Sequence, residues 1–182
     1  MTVNLITGKG GRLHVTSGDM GAIQAGVLGS GNYLLANADG SYPTVTMKDA
    51  NHINVPVMNL VLAGRYARVT AAETVQVASG ESGKNRNDIL CLKYARDDKN
   101  VESLSFEVLQ GTPSTSTAAD PTIPAGSVLN GDATVYFPIA RIPITGITVG
   151  TPVQLFSTRN ALWDSVTQKW KPPFTADSVW LC

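Results

Sequence analysis

Between residues 101 and 110 the chain alternates cleanly. Val101, Ser103, Ser105 and Glu107 fall on one side, and Leu104, Phe106 and Val108 on the other. Successive side chains of a strand point to opposite faces, so a period of two marks a half-buried β-strand. Shorter runs of the same kind precede it: Thr44 to Met47, Ile53 to Val57, Asn59 to Thr70 with alternation in its second half, and Thr74 to Ala78. Ile89 to Tyr94 is almost continuously apolar, as a strand covered on both faces would be. Turn signals separate the runs: Lys48-Asp49-Ala50-Asn51, Gly80-Glu81-Ser82-Gly83 and the charged tip Arg96-Asp97-Asp98-Lys99-Asn100. Short strands with regularly spaced turns predict a mainly β chain, an antiparallel β-sandwich or barrel-like domain.

One short N-terminal helix interrupts this pattern. Ser17 reads as its N-cap with Asp19 in the first turn, and Met20, Ile23 and Val27 recur at spacings of three and four. Gly29-Ser30-Gly31 ends it. Upstream, Val3, Leu5 and Ile6 read as a short strand stopped by Gly8-Lys9-Gly10-Gly11, and Leu13 to Thr16 as a second extended piece. Residues 111–124, GTPSTSTAADPTIP, predict a long surface loop or a linker, because Pro113 and Pro121 do not suit a sheet interior. Val135 to Ile144 reads as a strand pair, with Pro138 and Pro143 marking an edge or a bulge. Near the C-terminus, Asn160-Ala161-Leu162-Trp163 suggests a short helix or turn. The resulting division is residues 1–32, a strand and helix with a possible role in oligomerisation; 33–157, the β domain; and 158–182, a tail that carries all three tryptophans. The strongest candidate for a boundary between domains is near residue 112, unless strands on its two sides share one sheet.

A chain of 182 residues can bury about two thirds of its unfolded surface without staples. Lys plus Arg is 14 and Asp plus Glu is 14, and charged residues make up only 15% of the chain, against about 25% in typical domains. So sparse a charge suits a surface covered by other subunits better than a free monomer. No basic stripe with interleaved aromatics is present, which argues against nucleic acid. No apolar stretch reaches the length of a membrane span. Residues 1–11 lack a signal peptide's apolar core, so the chain is expected to be made in the cytoplasm and to stay there or leave by cell lysis.

Nothing in the sequence assembles a catalytic or metal site, so no enzyme activity, metal or cofactor is expected. His14, Ser17 and Asp19 are a tempting trio, but a triad needs geometry from separate parts of a fold, and a strand followed by a helix start explains them. Gly8-Lys9-Gly10-Gly11 lacks phosphate-loop spacing. Asp97, Asp98 and Glu102 lie near a turn, and a solvated hairpin tip accounts for them better than a pair of glycosidase carboxylates or a calcium loop. Cys91 reads as a small buried hydrophobe, and a disulfide to Cys182 is the lesser alternative. Arg86 and Asp88 share one strand face and suit either an ordinary salt bridge or a contact between subunits. Trp163, Trp170 and Trp180, with Phe174, suit packing of the tail or a sugar-stacking face.

Three segments, taken in order, carry a resemblance. They are VNLITGKGGRLHVTSGDMGAIQAGVLGSGNYLL, then AGRYARVTAAETVQVASGESGKNRNDILCLKYARD, then VESLSFEVLQGTPS followed by AGSVLNGDATVYFPIARIPI. The combination resembles small structural proteins of the tail or baseplate of siphophages and prophages in Gram-positive hosts. Arg65-Tyr66 stands where that family more often has Arg-His, and the segment from Arg159 has no counterpart in it. The resemblance implies a non-catalytic virion subunit of the tail tip, baseplate or receptor-binding apparatus, assembled in the host cytoplasm among other tail proteins. It also implies a homo-oligomer, with a trimer as the expected form. The helix face of Met20, Ile23 and Val27 and the pair Arg86 and Asp88 are then candidate interfaces. The alternative function is a module that binds host cell-wall carbohydrate through the tryptophans.

Overall fold

The computed structural model describes Ile6 and residues 15–159. Helix α1 (Ser17–Leu28) leads into β1 (Asn32–Leu35), β2 (Thr46–Met47), β3 (His52–Val55), β4 (Met58–Leu62), β5 (Arg65–Val69) and β6 (Glu73–Gln76). There follow β7 (Asn85–Arg96), β8 (Glu102–Leu109), a single 3₁₀ turn at Val128–Asn130, β9 (Thr134–Thr145), β10 (Thr148–Val149), β11 (Val153–Gln154) and β12 (Ser157–Arg159). The strands form three sheets, ordered β12-β1-β4-β5, β10-β9-β7-β8 with β11 beside β9, and β2-β3-β6. The chain is mainly β and curls into half a barrel with one short helix, as the alternation predicts. Among the described residues every strand pairing is antiparallel except β1 with β12.

One core joins the three sheets. Ile53 and Val55 from β3, Leu60 and Leu62 from β4, Leu90 and Leu92 from β7 and Ile142 from β9 belong to a single buried cluster. Fully burying one such side chain contributes roughly 1.5–3 kcal/mol. Strands on both sides of residue 112 share one sheet, because β9 pairs with β7 along most of its length. At the other proposed boundary, β12 carries residues 157–159 into the first sheet beside β1.

The structure departs from the sequence reading in two places that matter for the site. Asn59 to Thr70 is a hairpin, not one run: the chain reverses at Ala63 (φ 48°) and Gly64 (φ 80°). Two consecutive positive φ values give the turn whose twist matches the flanking strands. The usual Asn-Gly signature is missing, so the turn is hidden in an apolar stretch. Val135 to Ile144 is a single strand, not a pair. A bulge lets Leu90 pair with Ala140 while Cys91 pairs with Pro138. The extra residue resets the alternation, so Val135, Phe137 and Ile139 and then Ala140, Ile142 and Ile144 all reach the core. The bulge expected of Pro138 is therefore present.

The segment 111–124 is a surface loop tied to the sheet rather than a linker. Asn85 and Ser114 exchange backbone hydrogen bonds of 2.7 and 2.9 Å. The Asn87 amide donates to Ala118 O and to Asp120 Oδ1, and Arg141 pairs with the same Asp120 carboxylate.

Candidate functional site

Helix α1 starts one residue earlier than Ser17 suggests. Thr16 is the N-cap: its Oγ1 accepts from Asp19 N, and the Asp19 carboxylate accepts from Thr16 N at 2.9 Å. A capping box needs a partner three residues on, and that spacing selects Thr16 over its neighbour. The helix sits on the sheet through its smallest residues. A Cβ at Gly21 would stand 2.9 Å from Arg65 Cδ and Nε, and one at Gly64 would stand 2.0 Å from Gly21 O. Close approach of helix and hairpin therefore requires both glycines. Met20, Ile23 and Val27 face outward instead, at 48, 56 and 61% exposure. The apolar stripe thus does not cover the chain's own sheet.

Beneath the N-terminal end of α1 lies a cleft of about 370 Å³, lined among others by Ser17, Met20, Arg65, Tyr94, Glu102 and Leu104. An ion pair spans it. Arg65 Nη1 and Nη2 donate to the two Glu102 oxygens at 3.2 and 3.0 Å, a paired geometry that holds both side chains in one plane. Tyr94 Oη donates to Glu102 Oε1 at 2.7 Å. Burial raises the Glu102 pKa, but hydrogen bonds from Tyr94 and Ser17 and the Arg65 charge outweigh it, so the carboxyl lies below its ordinary value. Arg65 Nε, covered by the helix, has no hydrogen-bond partner among the described residues. The sequence reading missed this clasp. Its signal was present: Glu102 shares its parity with Leu104, Phe106 and Val108, so a charge stands on the apolar side of β8.

Arg86 and Asp88 pair with each other, at 2.8 Å from Nε to Oδ1 and 3.0 Å from Nη2 to Oδ2. They are 3% and 0% exposed. They continue the inward row of Leu90 and Leu92, and so lie inside the chain rather than on a face open to another subunit. Arg86 also donates to Ala78 O, and Asp88 accepts from Gly111 N. The pair joins three chain segments.

The remaining candidates disperse. Asp97 Oδ1 accepts from Lys99 N and Val101 N and so closes the hairpin tip, while Glu102 points to Arg65. Asp97, Asp98 and Glu102 therefore form no carboxylate pair across a cleft. His52 hydrogen-bonds with Asp49. Cys91 is buried, and burial together with the Glu107 charge pushes its thiol up to about 12, so it is poorly suited to act as a nucleophile. Among the described residues no group of His, Cys, Asp and Glu could hold a metal ion. No helix among them is long and apolar enough to cross a membrane. Gly8 to Gly11, His14, Trp163, Trp170, Phe174, Trp180 and Cys182 lie outside the described residues.

No family model matches the chain, and no curated protein matches it in sequence.

Proposed function

We propose that this chain is a non-enzymatic structural subunit of a tailed-phage virion, in the tail tip, baseplate or receptor-binding apparatus, and that it self-associates through the outer face of α1. The observation that carries the self-association is the outward stripe of Met20, Ile23 and Val27 on a helix that meets its own sheet through glycine. Three neighbouring large apolar side chains in water offer a copy of the same helix a ready contact. The sparse charge of the chain acts in the same direction. The place in a virion rests on the three-segment resemblance. Closed cyclic symmetry is the usual arrangement of such subunits, and a threefold axis would bring one α1 from each copy together.

Light scattering coupled to size-exclusion chromatography tests this at micromolar concentration. The expected mass is that of three 19.2 kDa chains. The double variant Ile23→Asp, Val27→Asp should elute as a monomer. Its thermal midpoint, measured on dilution to where the wild type also dissociates, should be little changed, since both positions are exposed in the single chain. A monomeric wild type would sink the proposal, as would an oligomer that ignores both substitutions.

A further inference from the structure

We infer that residues 117–125 form a latched flap over the outer face of β7 and β9, which the Asp120 carboxylate holds shut and which opens without unfolding the sheet beneath it. Leu90, Leu92 and Tyr94 of β7 point into the core. Ile89 and Cys91 have the opposite parity and so lie on the outer face, yet they are only 2% and 0% exposed. The chain that leaves β8 crosses that face. Its first part is pinned to the start of β7. A Cβ at Gly111 would stand 2.1 Å from Asn87 O. Asn85 and Ser114 exchange backbone hydrogen bonds, and the Asn85 amide donates to Ser116 O at 3.0 Å. At Asp120 the chain has come level with Ile89, because Arg141, which pairs with Asp120, sits opposite Ile89 on β9.

Gly126 marks the other end. A Cβ there would stand 3.1 Å from Thr134 O, at the start of β9. Six residues of extended chain reach about 20 Å, and the strand from Arg141 back to Thr134 covers a similar length. Residues 121–125 therefore run nearly straight along β9, past Pro138, the residue that pairs with Cys91. Pro121 and Ile123 are half-buried while Thr122 and Pro124 are exposed. This period of two turns Pro121 and Ile123 toward the sheet.

Little else fastens the flap. Among the described residues, its hydrogen bonds to the sheet are those of the Asn87 amide to Ala118 O and Asp120 Oδ1, at 3.3 and 2.9 Å, and those of the Arg141 guanidinium to both Asp120 oxygens. Pro121 and Pro124 have no N–H to donate. The other charged groups of this face, Lys93 and Glu107, bond to each other at 2.9 Å. A segment with few buried apolar contacts and one ionic fastening opens before the core does. Tyr94 and Phe137, which line the cleft beneath α1, belong to the core side of the same sheet. Flap and helix thus lie on opposite sides, and this inference stands apart from the proposed self-association.

Thiol labelling tests it, on the Cys182→Ser chain, which keeps Cys91 as its one thiol. With an aromatic disulfide reagent at mildly alkaline pH, the Cys91 thiolate attacks one sulfur and the other leaves as a coloured thiolate. The parent should react far more slowly than the urea-unfolded chain. Asp120→Asn should speed the reaction at least tenfold. Ile123→Asp should do the same, because a charge does not settle against Ile89 and Cys91. Amide exchange at Ser114 and along β7, read in the same variants, should change less than threefold. A labelling rate indifferent to both substitutions would overturn the inference, since something other than the flap would then cover Cys91. So would a parent that reacts as fast as the unfolded chain, or a gain matched by equally faster exchange along β7, which would mark loss of the whole sheet.

Discussion

At the scale of single residues, the most telling feature is the ion pair of Arg86 and Asp88 on the inward row of β7. The i, i+2 spacing made a pair legible in the sequence, and charged residues suggested a surface. The parity with Leu90 and Leu92 said otherwise, because that parity is the buried one, while Asn85, Asn87 and Lys93 on the opposite parity are only half-buried. Removing one partner leaves a buried charge without its counter-ion, which costs about 3–5 kcal/mol. Arg86→Ala and Asp88→Ala should each destabilise the chain by that order in urea unfolding. The double variant Arg86→Met, Asp88→Leu should cost much less than the two single changes added together. Additive losses would show that the two side chains act independently, through Ala78 O and Gly111 N.

At the scale of elements, the contact between α1 and the β4–β5 hairpin decides how the helix is displayed. The helix itself was legible: the 3–4 spacing placed it correctly, and only its cap moved by one residue, to Thr16. Its orientation was not legible. An apolar stripe on a helix ordinarily faces the core, yet here Gly21, Ala25 and Gly64 form the tight contact and the stripe faces out. Gly64→Ala tests this packing. The new Cβ would meet Gly21 O, and the residue would hold φ 80°, a backbone cost of about 1–2 kcal/mol before any clash. Unfolding should register at least that loss, and amide exchange in α1 should rise relative to β7. A neutral outcome would mean that helix and hairpin are not in close contact.

At the scale of the whole molecule, β5 and β8 each end a sheet among the described residues, and the ion pair of Arg65 and Glu102 joins them at one end. Because the Glu102 carboxyl lies below its ordinary value of 4.5 in the folded chain, the unfolded chain binds more protons in that range. The clasp's stability is therefore full above about pH 4.5 and is lost as the pH falls through the lower, folded value. Urea midpoints should drop as the pH falls below about 4.5 and through the lower, folded value, and Glu102→Gln should flatten that drop. It should not abolish it, because Asp120, held down chiefly by its hydrogen bond from Arg141, has the same sign. An unchanged slope in Glu102→Gln would deny the clasp any part in holding the edges. The sequence by itself determined the β architecture, the helix and most turns, because alternation, capping and Gly-rich punctuation are local physics carried by neighbouring residues. Only the tertiary structure decided that Glu102 meets Arg65 rather than Asp97, that Arg86 and Asp88 are inside, and that Met20, Ile23 and Val27 are outside. Those outcomes depend on which strands curl against which, and pairing across 37 positions of chain leaves no periodic trace in either partner's neighbourhood.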